Sequence, residues 1–188
     1  VYSHEGLTYG GVIFEENNKA IECKFILDAI INYLKQFNIE EFRLKLIPIL
    51  YNRLMTNDLD YFLFKNNGIV YKKNMNLAVD LRSNFKISKS KLKRFNRKQE
   101  PIIIKKDDFF DDFWIQVLEP RLMEKHNVKP IHSLDEIKEL AKKFPNNIHQ
   151  YSIYEENNIV GGITIFESKD CVKSQYGATT LRGQSIYA

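Results

Sequence analysis

The sequence predicts an α/β chain of the α+β kind, in which strands and helices share the chain. Three observations carry that expectation: a helical apolar stripe over residues 20–37, three strand candidates between residues 149 and 179, and an abrupt change of composition over residues 82–99. At 188 residues the chain has room for one ordinary domain or two small ones, and its core needs no disulfide staples.

Residues 7–14 read as a strand bearing two glycines, closed by the turn-like Glu15-Glu16-Asn17-Asn18. In the next element, a helix, Ile21, Phe25, Ile26, Ile30, Leu34 and Phe37 recur at three- to four-residue steps and share one face, and Asn38 can close it. Residues 42–47 alternate as a strand that Pro48 stops. A short helix fits residues 58–64, ended by Asn66-Asn67-Gly68 with the glycine in the left-handed cap, and residues 69–81 read as one strand or two.

Residues 82–99 carry no acid and a run of lysines and arginines, which places a linker and a basic helix there. Phe95 interrupts the run and reads as the anchor of that helix to the core. Ile102-Ile103-Ile104 reads as a short buried strand. Asp107 or Asp108 can cap the next helix, whose Phe109, Phe110, Phe113, Trp114, Val117 and Leu118 form a wide apolar face until Pro120 kinks or ends it. Ser133-Leu134-Asp135-Glu136 is a capping-box pattern opening a helix with Leu134, Ile137, Leu140, Ala141 and Phe144 inward, and Pro145 terminates it. Strand candidates at 149–154, 159–166 and 171–179 complete the order, and a further helix begins after them.

Composition narrows the class of protein. Cys23 and Cys171 lie far apart and match no metal-ligand spacing, so two reduced, packed thiols and a reducing, cytoplasmic home are expected. No run approaches the roughly 20 apolar residues of a membrane span, and the start has neither basic nor apolar leader character. The absence of an initial Met and of a polar tail reads as an internal fragment. A formal charge of +4 does not by itself identify a nucleic-acid binder. His126 and His132 bracket a turn but lack a third ligand, so no metal is expected.

The order of elements resembles a GNAT fold entered midway and left midway, and that resemblance implies a GNAT-like mixed, largely antiparallel sheet with flanking helices. The segment from Ser3 to Gly11, the basic run from Lys91 to Lys98, the turn from Glu124 to Pro130, and Val160-Gly161-Gly162 followed by Gln175-Tyr176-Gly177-Ala178 resemble GNAT-like proteins of the Fem type, which carry tandem GNAT-like units. The resemblance implies the C-terminal half of a first unit over residues 1–81, a basic linker helix over 82–99, and the N-terminal part of a second unit over 100–188. It further implies an N-acyltransferase that moves an acyl or aminoacyl group to an amine of a cell-wall or surface-polysaccharide precursor. Such an enzyme has no tightly bound cofactor. Acyl-CoA or aminoacyl-tRNA is the donor, and an amine-bearing small molecule or nucleotide sugar is the acceptor.

Direct transfer needs a base or water path for the amine proton, donors for the oxyanion, and positioning. His4 and Glu5 beside the first glycine-bearing strand can serve as the base, although a plain polar strand start gives the same pattern. Tyr9 and Tyr176 can donate to developing charge, and both also fit a core. Lys93, Arg94 and Arg97, together with Lys125, His126 and Lys129, can hold a phosphate or carboxylate of the substrate, or of tRNA, where a solvated face is the alternative. In the family, pyrophosphate is held by an Arg/Gln-x-x-Gly-x-Gly/Ala loop at a helix N-terminus. Its counterpart here is Arg182-Gly183-Gln184-Ser185, with Ser185 and Tyr187 standing where a glycine and a small residue belong. The alternative function is a catalytically inactive GNAT-like module that binds nucleic acid or a phosphorylated ligand through the basic helix.

Overall fold

The structure, a computed structural model, describes residues 1–4, 9–15, 17–52, 56–96 and 102–187, the side chain of Arg94 excepted. The chain divides into two compact units, Val1–Val79 and Asp80–Ala188.

The first unit is built on helix α1 (Ala20–Gln36), which packs against α2 (Asp58–Lys65), with a single 3₁₀ turn at Ile49–Tyr51 between them. The Glu22 carboxylate accepts the Lys19 backbone N–H at 2.6 Å and so closes the start of α1. Its buried stripe runs through Cys23 and Leu27, with Ile26, Ile30 and Leu34 half-buried, while Ile21, Phe25 and Phe37 stay exposed. The face is therefore rotated from the expected one: α1 is apolar on two sides, and spacing alone does not say which of them meets α2. Burial raises the Cys23 thiol pKa, and the Asp58 charge adds to the rise. At the end of α2 it is Asn67, not Gly68, that takes the left-handed conformation. The Gly68 N–H bonds back to Leu63 O at 2.8 Å.

None of the three strands expected in this unit forms among the described residues. Among the described residues, 1–3 and Gly10 meet 43–45 through one parallel bridge, Tyr2 to Arg43, and single bonds such as Gly10 N–H to Lys45 O at 2.9 Å. Residues 69–79 alternate as a strand should, yet belong to no sheet and are exposed. Alternation supplies an amphipathic edge, and a ladder forms only where a second edge meets it.

The second unit opens with the short basic helix α3 (Lys89–Phe95), followed by strand β1 (Ile102–Asp107). Next comes one long helical passage: α4 (Asp111–Phe113), a π-helical turn (Trp114–Leu118) and α5 (Glu119–His126). Helix α6 (Leu134–Lys143), strands β2 (Ile148–Glu155), β3 (Asn158–Glu167) and β4 (Val172–Thr179), and helix α7 (Leu181–Ser185) complete it. The sheet is four-stranded and wholly antiparallel in the order β1-β2-β3-β4. Lying at the edge, β1 leaves its isoleucines exposed and is not the buried strand its composition suggested.

Pro120 does not end the helix. It cannot donate to the Gln116 carbonyl and its ring would crowd it, and the preceding turn is widened so that the Glu119 N–H reaches Trp114 O instead. Phe110, Phe113, Trp114, Val117 and Leu118 are buried as expected. Phe109 is exposed because the helix starts at Asp111, beyond it. Neither Asp107 nor Asp108 caps the helix: Phe110 is the N-cap, and the Asp107 carboxylate instead accepts the Tyr154 hydroxyl at 3.0 Å. The Ser133 capping box is present, with Ser133 N–H to Glu136 Oε2 at 2.7 Å and Glu136 N–H to Ser133 Oγ at 3.3 Å. Ile137 is buried and Leu134, Leu140 and Ala141 pack on the core, whereas Phe144 at the C-cap is exposed.

The helices cover one face of the sheet. Phe113, Trp114, Val117, Leu118 and Ile137 pack there on Ile148, Ile159 and Tyr176. A polar triad lies under them: Thr164 Oγ1 donates to Gln150 Oε1 at 2.6 Å, and Gln150 Nε2 reaches Tyr151 O at 3.0 Å and Ser152 Oγ at 3.3 Å. All three residues are buried, so each bond replaces one lost to water.

Candidate functional site: the open face of the second unit

Because side chains alternate along a strand, the residues between the helix-facing ones point to the other face of the sheet. An open cleft of about 510 Å³ lies on that face, lined by Ile104, Tyr151, Ile153, Ile163, Gly177 and Thr179 and floored by backbone at Gly162 and Ala178. It is largely apolar and open to solvent, with the hydroxyl-bearing Tyr151 and Thr179 among its lining residues.

Gly177 is the informative residue. Glycine weakens a strand, and in an interior position it often marks where another group must come close to the backbone. A Cβ built at Gly177 meets nothing nearer than 3.9 Å, so among the described residues no neighbour demands glycine there. Gly162 and Gly183 differ. A Cβ at Gly162 would lie 2.6 Å from Phe113 Cδ2 and 2.9 Å from Gln150 Nε2. At Gly183 it would drive into the Val160 carbonyl oxygen, with the carbonyl carbon 3.0 Å away. Those two glycines are explained by packing, whereas Gly177 lines the open cleft.

Strand β4 is irregular beside this point. Its register to β3 shifts between Thr164 and Ile165, which pair with Tyr176 and Ser174 and pass over Gln175. Such a bulge bends the strand and re-aims the residues beyond it, here Gly177 and Thr179.

The end of β4 is firmly held. Thr180 caps α7, its Oγ1 accepting the Gly183 N–H at 3.0 Å, while its own N–H gives to Val160 O at 2.9 Å. Arg182 forms a two-pronged ion pair with Glu155, Nε lying 2.8 Å from Oε2. That hydrogen bonding, supported by the arginine charge, holds the Glu155 carboxyl below the ordinary range. Gln184 is exposed, and Ser185 Oγ donates to Arg182 O at 2.7 Å. The residues assigned to a pyrophosphate loop are thus engaged with the fold: Gly183 gives its N–H to a cap and its missing side chain to β3.

Tyr176 does not face the cleft. Its ring meets Trp114 edge-on at 4.9 Å in the core, and its hydroxyl accepts the His132 N–H at 3.1 Å while lying 2.5 Å from His132 Nδ1. Sequence reading set His132 beside His126 and missed this pairing, which joins residues 44 positions apart.

The remaining candidates are dispersed. His4 and Tyr9 belong to the first unit. Ser3 Oγ and His4 Nδ1 are 2.6 Å apart, and the Tyr9 ring sits 5.7 Å from that of Tyr51 with Lys45 Nζ 5.8 Å over it. Lys125, His126 and Lys129 lie exposed at and beyond the end of α5, where Asn127 takes the left-handed cap. Lys93 is exposed on α3, and Phe95, expected to anchor that helix, is exposed as well. The Arg94 side chain, Glu5 and Arg97 lie outside the described residues.

Among the described residues no group of three His, Cys, Asp or Glu is disposed to hold a metal, and no helix is long and apolar enough to cross a membrane. No family model, curated protein or solved structure matches the chain.

Proposed function

We propose that the protein is a GNAT-like N-acyltransferase of the Fem type, whose second unit binds the acyl or aminoacyl donor along the open face beside β4. The observation that carries this reading is the connectivity of that unit. A strand, two helices, a three-strand antiparallel meander and a capped helix succeed one another in the order the resemblance implies. The bulged β4 and the open space at Gly177 support it, because direct transfer needs room for a donor carbonyl to approach hydrogen-bond donors.

In the reaction the acceptor amine attacks the donor carbonyl, a C–N bond forms, and the C–S bond of an acyl-CoA or the C–O bond of an aminoacyl-tRNA breaks. The amine loses a proton to water or a base, and the leaving thiolate or alkoxide takes one up. The cleft supplies apolar walls and close approach. Since Arg182 and Gly183 are held by Glu155 and Thr180, a tRNA-linked donor, which needs no pyrophosphate cradle, fits this chain better than CoA.

The test incubates the protein with acyl-CoA or charged tRNA and candidate amine acceptors and tracks the acylated product by mass spectrometry. Turnover that disappears in Gly177→Leu, with the unfolding midpoint kept, is the expected result. Absence of both turnover and donor binding with either donor class refutes the proposal.

A further inference from the structure

The segment from Leu81 through Phe95 combines two properties that ordinary solvated loops do not share. It bears Lys86, Lys89, Lys91 and Lys93 with no acidic residue among them. It also exposes large apolar side chains: Leu81 at 83% and Phe95 at 84%, with Phe85, Ile87 and Leu92 exposed too. Within α3, Leu92 and Phe95 lie one turn apart on a common face, and Lys89 and Lys91 flank it. Apolar groups bordered by lysines whose long stems can lie flat while their charges reach outward make the pattern of an interfacial segment.

We infer that this segment is a peripheral docking surface for an anionic lipid bilayer. Charge complementarity selects the sign of the partner, and the side chains select its class. A nucleic acid would reward aromatic stacking and cations, but it offers nothing to Leu81, Ile87 and Leu92. A bilayer interface takes up aliphatic and aromatic groups alike while anionic headgroups meet the lysines. Seven residues of helix are far too few to span a membrane, so the segment lies in the headgroup plane. The inference is independent of acyl transfer, and it is measured without donor or acceptor.

The experiment uses the whole chain with sucrose-loaded vesicles of phosphatidylcholine alone or mixed with phosphatidylglycerol. Co-sedimentation with the mixed vesicles, weakening as salt rises, is expected. Replacing Lys89, Lys91 and Lys93 together by Gln should lower partitioning about 100-fold, at roughly fivefold per lysine. Phe95→Ser should lower it on the order of tenfold with the charge unchanged. In Phe95→Trp, the emission from position 95 should shift to the blue on mixed vesicles, and since Trp114 is buried its emission should stay put. Equal binding to neutral vesicles, no binding to mixed ones, or an unshifted Phe95→Trp emission would each overturn the inference. So would tighter binding to a single-stranded RNA oligonucleotide that Phe95→Ser leaves intact, because the surface would then be electrostatic and serve nucleic acid.

Discussion

Two glycines of the second unit provide the sharpest test of the packing account, since the same substitution should have opposite effects at each. In Gly183→Ala the new methyl meets the Val160 carbonyl, which is backbone and cannot rotate away. Overpacking against side chains costs about 1–3 kcal/mol, and an unyielding partner places this case at the upper end. To relieve the clash α7 must move off β3, straining the Thr180 N–H and Oγ1 bonds to Val160 O at 2.9 and 3.2 Å and the Gly183 cap at 3.0 Å. The sum is a loss of about 3 kcal/mol, or a fall of about 1.5 M in urea midpoint for an m-value near 2 kcal/mol/M. In Gly177→Ala the methyl enters the open cleft, and relief of the glycine penalty should leave stability unchanged or raise it by about 0.5–1 kcal/mol. The assay is urea denaturation monitored through Trp114, the chain's single tryptophan, which lies in the core of this unit and therefore reports on it specifically. Equal midpoints for the two variants would refute the reasoning, and so would a Gly183→Ala shift under about 0.3 M.

The same contacts set three further outcomes. Tyr176→Phe leaves the His132 N–H and Nδ1 without their partner and should destabilise the unit by about 1–3 kcal/mol, read by the same denaturation. The Tyr154 hydroxyl is pushed up to about 12 by burial and by its bond to Asp107, from an ordinary value of 10. A raised folded pKa favours the protonated form, so this contribution is complete below pH 10 and lost as pH rises toward about 12. Tyr154→Phe should flatten that limb, and an ultraviolet titration should show one tyrosine ionising late. At the acid end, the Glu136 carboxyl is held below its ordinary value chiefly by the Ser133 N–H, and that of Glu155 by Arg182. Both contributions are present above pH 4.5 and are lost as pH falls through the lowered values, and Glu136→Ala should make acid unfolding shallower.

The parts of the fold that were legible in the sequence are those set by local chemistry. Ser133 and Glu136 stand three apart with an apolar stripe behind them, which is sufficient to start α6 wherever it packs. The three strands of the meander alternate between turn signals and pair with their neighbours in sequence, so the antiparallel sheet results from order alone. The illegible parts depend on partners distant in the chain. Residues 69–79 alternate as cleanly as β2 does and form no strand, because a ladder needs a second edge that no local pattern supplies. Phe95 looked like an anchor because phenylalanine usually is one, and only its exposure shows otherwise.

Site residues divide along the same line, and the division bears on which groups can serve in catalysis. Tyr176 and Gly177 are adjacent and sit in one short motif, so the sequence offers both as equals. Strand alternation separates them: the tyrosine goes under the helices, where His132 takes its hydroxyl, and the glycine goes to the open cleft. The residue with the reactive group is the structural one, and the residue with no side chain faces the space where chemistry has room. Any acyl transfer on this face would therefore rest on backbone approach and on groups such as the Tyr151 and Thr179 hydroxyls. On that account Tyr176→Phe should lower the urea midpoint and leave the donor affinity of the folded protein unchanged. Gly177→Leu should do the reverse, and a Tyr176→Phe variant that folds normally yet loses donor binding would return the tyrosine to the site.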